Sequence, residues 1–213
     1  GADPEFDATA GEYGKSKVAY VRYHVWWPEA SDPFYDELKG DVEERTSLYS
    51  VSAVPSVFAD GDSVPLENAN SYDDYGRILA DSIDEHRAES PSYAIRARAD
   101  LSGGSDLVTL DVETTQLRQS SSDSRLFALL VEDDIHYQAS NGETVHNFIV
   151  RRFITEGDGV ELDPDASGGD DYRTTFTMSG DVDTSDAYVV VFIQKEGGTL
   201  KTHEKGVRIL QKM

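Results

Sequence analysis

Cysteine is missing from all 213 residues. That absence excludes structural disulfides, iron–sulfur clusters and thiolate zinc sites, and with them any thiol–disulfide exchange. It does not fix a compartment, because a chain of this length can rely on its core alone. Long apolar runs are missing too, and no segment approaches the roughly 18 residues that a membrane helix needs. Positive charge is scarce: 19 Lys and Arg stand against 41 Asp and Glu, for a net charge of −22. Such a surface repels nucleic acids and anionic membranes, whose binding depends on neutralising phosphates. Nucleophile motifs are also absent, with no Gly-x-Ser-x-Gly, no phosphate-binding glycine loop and no Ser-x-x-Lys.

What is present is enough apolar material for a core, at 38% hydrophobic and 10% aromatic residues. The acidity is spread along the chain rather than gathered in a tail, and lysine is scarce. Two explanations fit. Adaptation to high salt is one, because screening relieves self-repulsion; a calcium-rich extracellular medium is the other. Salt adaptation is preferred because no segment is a clear calcium loop.

Gly1-Ala2-Asp3-Pro4-Glu5-Phe6 reads as a remnant of a cloning vector, and residues 1–15 are set aside as remnant and linker. Lys17 to Trp26 has a strand pattern. Asp32-Pro33 can open a helix, with Asp as N-cap and Pro in the first turn, running to about Leu38. A second short helix is expected from Asp41 to Tyr49. Val54-Pro55-Ser56-Val57-Phe58 reads as another strand, Asp60-Gly61-Asp62 as a hairpin turn, and residues 70–88 as an amphipathic helix. Glu89-Ser90-Pro91 marks a domain boundary. Beyond it, runs near 93–101, 107–116, 125–137, 145–155, 172–179, 187–196 and 200–210 alternate polar and apolar residues between turn clusters. About seven strands without a helical pattern indicate an antiparallel sandwich.

Strand, helix, helix, strand, hairpin, helix is an order that resembles a thioredoxin-like fold. In that resemblance Tyr23-His24-Val25-Trp26-Trp27-Pro28-Glu29-Ala30 stands where a redox turn belongs, and Val54-Pro55-Ser56-Val57 where a cis-proline strand belongs. The two cysteine positions fall on Trp27 and Ala30, or one residue later on Pro28 and Ser31. Leu130 to Tyr137 and His146 to Arg152 extend the likeness into the second half. As a whole, residues 16–210 resemble the outer-membrane-protein-related family of bacterial envelope proteins. The resemblance implies an α/β thioredoxin-like domain without its cysteines over 16–90, then an Ig- or fibronectin-like sandwich over 91–213. It also implies a place in the cell envelope, periplasmic or outer-membrane associated, or outside the cell.

Trp26, Trp27, Pro28 and Tyr35, with Pro55 expected opposite, would form an aromatic, proline-lined face for an extended peptide. The bland alternative is that the tryptophans fill core or the gap between domains. Asp163, Asp165, Asp170 and Asp171 lie in a Gly-rich loop and could supply oxygens to calcium, although the spacing is not that of an EF-hand. A solvated acidic loop is the alternative there. His24 could serve as an acid–base group, and His136 and His146 could meet across adjacent strands. The composition and resemblance together point to a non-catalytic protein that binds a protein or peptide. A calcium-dependent adhesive or structural module is the second expectation, and an enzyme of non-thiol chemistry the third.

Overall fold

Residues 126–131 read Leu-Phe-Ala-Leu-Leu-Val, apolar at every position. A strand of that kind has to be covered on both faces. The computed structural model, which describes residues 3–27, 32–103, 105–118, 124–163 and 169–195, reveals what covers it. In chain order the elements are α1 (Asp3–Tyr13), α2 (Pro33–Leu48), β1 (Phe58–Ala59), β2 (Asp62–Ser63), a 3-10 turn (Leu66–Asn68) and α3 (Asp73–Arg87). Then come β3 (Tyr93–Leu101), β4 (Leu107–Gln116), β5 (Ser124–Glu132), β6 (Ile135–His136) and β7 (Val145–His146). The last are β8 (Ile149–Phe153), β9 (Val160–Glu161), β10 (Asp171–Thr177) and β11 (Ala187–Lys195).

Two antiparallel sheets pack face to face, one ordered β10-β4-β3 and the other β11-β5-β8, with β9 also beside β5. Between them Val108, Leu110 and Val112 of β4 and Phe176 of β10 meet Leu126, Ala128 and Leu130 of β5 and Val189, Val191 and Ile193 of β11. The alternate residues of the same two strands point the other way. Phe127, Leu129, Val131, Tyr188, Val190 and Phe192 are covered by Tyr35 and Val42 of α2 and by the extended stretch Ala19 to Trp26. The second sheet is therefore a middle layer, dry on both faces. A third cluster joins Ile78, Leu79 and Ile83 of α3 to Ala59, Val64 and Leu66, with Phe6 and Tyr13 of α1 against it. Residues 3–13, set aside as a remnant, thus form a helix on α3, with Phe6 stacked 5.8 Å from Tyr75.

The thioredoxin-like α/β domain expected over 16–90 is not formed. The described chain is mostly β, and its long strands all lie after residue 92. The strand pattern at 17–26 builds no sheet of its own. It touches a ladder at one residue, where Arg22 bridges in parallel to Ile149 at the edge of β8. Its alternation has a different cause: Val18 and Tyr20 face the α3 cluster, whereas Ala19, Val21, Tyr23 and Val25 face the middle sheet. Of the run at 54–58 only Phe58 enters a strand, the two-residue β1, which pairs with β2 across the Asp60-Gly61 turn. The Val54–Pro55 peptide is cis. The two short helices expected at 33–38 and 41–49 are one element, α2, with a kink at Leu38 where φ is −120° and ψ is 17°. The run at 200–210 lies outside the described residues.

Candidate functional site

Asp32 organises the start of α2. One of its oxygens accepts the Phe34 and Tyr35 backbone N–H groups at 2.9 and 3.1 Å, and the other lies 2.7 Å from His24 Nδ1. Capping fixes the first turn, and successive helical residues leave the axis about 100° apart. Phe34 and Tyr35 therefore open in two directions, and each gathers a set of rings.

On the Tyr35 side, Trp26 lies 5.8 Å from Tyr35 and Trp27 lies 4.5 Å from Trp26, centroid to centroid. Tyr35 is buried, and its hydroxyl donates to Glu43 Oε1 at 2.7 Å. Burial first and Glu43 second push that hydroxyl up to about 12. Trp26 rests on the cluster beneath α2, and both tryptophans are half-buried. On the Phe34 side, the rings of His24, His146 and Tyr137 lie 4.9, 5.6 and 5.7 Å away. Tyr137 is 40% exposed and forms the outer rim.

Charges brace this collar from beneath. Between β5 and β8 the register shifts, so that Leu130 faces Arg152 and Val131 faces Val150. Arg151 is the extra residue of that bulge, and such residues are re-aimed out of the ladder. Its guanidinium, 5% exposed, pairs with Glu132 and Asp181, lies 3.7 Å from Glu37 of α2, and sits 5.8 Å from the Phe34 ring. His146 is fully buried, with Nε2 3.0 Å from the Tyr137 carbonyl. A carbonyl only accepts, so Nε2 carries the hydrogen. His146 Nδ1 has no hydrogen-bond partner and lies 3.7 Å from Glu143 Oε2.

The Asp32 carboxyl is held below its ordinary range. Burial opposes ionisation, but His24 and the Tyr35 and Phe34 N–H groups outweigh it. A depressed folded-state value stabilises the fold above the unfolded carboxylate value, and that contribution is lost as pH falls through the folded value. Melting temperatures measured from neutral pH down into the acid range are expected to fall more steeply for the wild type than for Asp32→Asn.

Trp26, Trp27 and Tyr35 are thus brought together. Pro55 sits on the exposed stretch 52–56 ahead of β1 and is not part of the ring cluster. Pro28 lies outside the described residues. His136 and His146 do not meet: the register pairs His136 with Val145 and Ile135 with His146, so the two rings take opposite faces. Phe34, Tyr137 and Arg151 joined the site without being foreseen. Phe34-Tyr35 directly after a capping Asp-Pro was the available signal for the first of these.

The acidic loop has a structural role of its own. Asp170 accepts the Asp163 N–H at 2.7 Å, and its backbone N–H and carbonyl both engage the Thr114 hydroxyl. Asp171 begins β10, and Asp165 lies outside the described residues. Among the described residues no group of three or more His, Asp or Glu is placed to hold a metal ion. Gly169 makes the docking at Thr114 possible: its φ is +112°, and a Cβ there would overlap the Thr114 carbonyl. Gly169→Ala is expected to cost about 2 kcal/mol or more, lowering the melting temperature by roughly 4–8 °C in calorimetry.

No family model matches the chain, and no curated protein matches it. Its architecture, mostly β among the described residues, is matched by solved structures. One such structure, HBP35 of Porphyromonas gingivalis, superposes with a TM-score of 0.73 at 10% identity, covering 98% of this chain and 69% of that one. That is a likeness of fold. Among the described residues no helix is long and apolar enough to cross a membrane.

Proposed function

We propose that the chain is a non-catalytic binding protein that takes up a protein or peptide on the aromatic collar at the start of α2. The Trp26–Trp27 pair, with ring centroids 4.5 Å apart and planes tilted by 37°, carries this reading. Large rigid rings, half-buried and anchored through Tyr35 to the middle sheet, lose little entropy when a partner covers them. A place in the bacterial cell envelope or outside the cell is proposed on the family resemblance of Leu130–Tyr137 and His146–Arg152 alone. The fold shared with HBP35 names no ligand for this chain.

The test is calorimetry of peptides selected from an immobilised library of extended sequences. Binding to the wild type is expected to weaken by about 2 kcal/mol or more in the Trp26→Ala/Trp27→Ala double variant. Because Trp26 also packs on the core, Trp27→Ala alone serves as the variant that keeps the fold. Equal binding by wild type and both variants would show the collar to be the wrong surface.

A further inference from the structure

The collar has an acidic flank. Residues 32–44 carry Asp32, Asp36, Glu37, Asp41, Glu43 and Glu44 against Lys39 as the one cation. Asp36, Glu37, Glu43 and Glu44 are exposed, and Glu43 is tied directly to the hydroxyl of Tyr35. The neighbouring arginines do not offset this outward field. Arg151 is buried and shared among Glu132, Asp181 and Glu37, and Arg45 is buried over the Phe127 and Phe192 rings. The whole chain adds to the same sign, with its net charge of −22.

Resting on the collar as the binding surface, we propose that its partner is a cationic, extended segment of another protein whose arginine or lysine side chains lie on the Trp26–Trp27 face. A guanidinium asks for two things at once: an aromatic face to stack on and a carboxylate to accept its N–H fork. The tryptophan pair and the carboxylates of α2 supply both, linked through Tyr35, which lies 5.8 Å from Trp26 and donates to Glu43. A neutral apolar segment would use the rings and leave the carboxylates idle. An acidic segment meets repulsion from every side, as does a phosphate backbone.

The chain holds two tryptophans, both in the collar, so its intrinsic tryptophan fluorescence reports on this surface alone. The experiment titrates the full chain with three synthetic peptides of one length and apolar content, carrying arginines, glutamines or glutamates. The arginine peptide is expected to give a saturable change, with affinity falling about tenfold or more between roughly 0.05 and 0.5 M salt. Trp27→Ala should lower that affinity by a similar factor, and so should the pair Asp36→Lys/Glu44→Lys, whose positions are exposed. Glutamine and arginine peptides binding alike, without salt dependence, would overturn the cationic class while leaving the collar in place. Equal binding of the arginine peptide to wild type and Trp27→Ala by calorimetry would mean diffuse attraction to an acidic surface and would overturn both. No fluorescence response to the arginine peptide would also overturn this proposal, while the library experiment decides the collar itself.

Discussion

Glu132→Ala is expected to destabilise the fold by about 3–5 kcal/mol, the cost of leaving a buried charge without its partner. Glu132 and the Arg151 side chain are both about nine-tenths or more buried, at 5% exposure each. Glu132 also accepts the Asp183 N–H at 2.7 Å, so truncation strands a backbone donor as well. The other carboxylates around Arg151, Asp181 and Glu37, are 53% and 52% exposed and solvated, and they replace the lost charge poorly. Glu132→Gln keeps an acceptor for Asp183 and should lose less. Chemical denaturation reads both as a lower midpoint at unchanged slope. A loss under about 1 kcal/mol in Glu132→Ala would mean that Asp181 and Glu37 suffice to hold the guanidinium.

Phe127→Ala is expected to cost about 3–5 kcal/mol as well, by a different route. The ring is fully buried on the outward face of the middle sheet, stacked 5.1 Å from Phe192 and lying 4.8 Å under the Arg45 guanidinium. Removing it opens a cavity under α2 and takes away one of the rings on which Arg45 rests. Denaturation should remain a single transition, because α2 shares its core with β5, β8 and β11. In hydrogen exchange, the amides of α2 should lose more protection in Phe127→Ala than in Leu110→Ala, whose cavity lies between the sheets. Equal loss in the two variants would place the weakened layer elsewhere.

The two halves of the chain were not equally legible. Residues 93–101 and 107–116 alternate cleanly, and strands run between those bounds. Tyr72, Tyr75, Ile78, Leu79 and Ile83 keep helical spacing, and α3 covers 73–87. The first half misled because alternation at 18–25 is a statement about two faces, and says nothing about a hydrogen-bonded neighbour on either edge. Here the two faces meet two different clusters, and Arg22 alone reaches a strand. The continuous apolar run 126–131 held the missing information. A strand without a polar face demands a second covering layer, and among the described residues the only helices available to supply it precede residue 90. Within the site, Trp26, Trp27 and Tyr35 were legible as aromatics near a turn. Tyr137 and His146 reach the collar from a hairpin more than 100 residues away, and local spacing carries no signal of that.

The sharing of β5 and β11 between two layers has a consequence for how the chain is made. Synthesis runs from the N-terminus at about 5–20 residues per second. The stretch 18–26 and α2 leave the ribosome roughly 150 residues ahead of β11, so the apolar faces of Val21, Tyr23, Trp26 and Val42 wait on the order of 10–30 s for the surface they cover. Contacts between elements so far apart in sequence close late and slowly. In that interval those apolar faces are uncovered, and the excess of like charge along the first half opposes its self-association until β11 arrives.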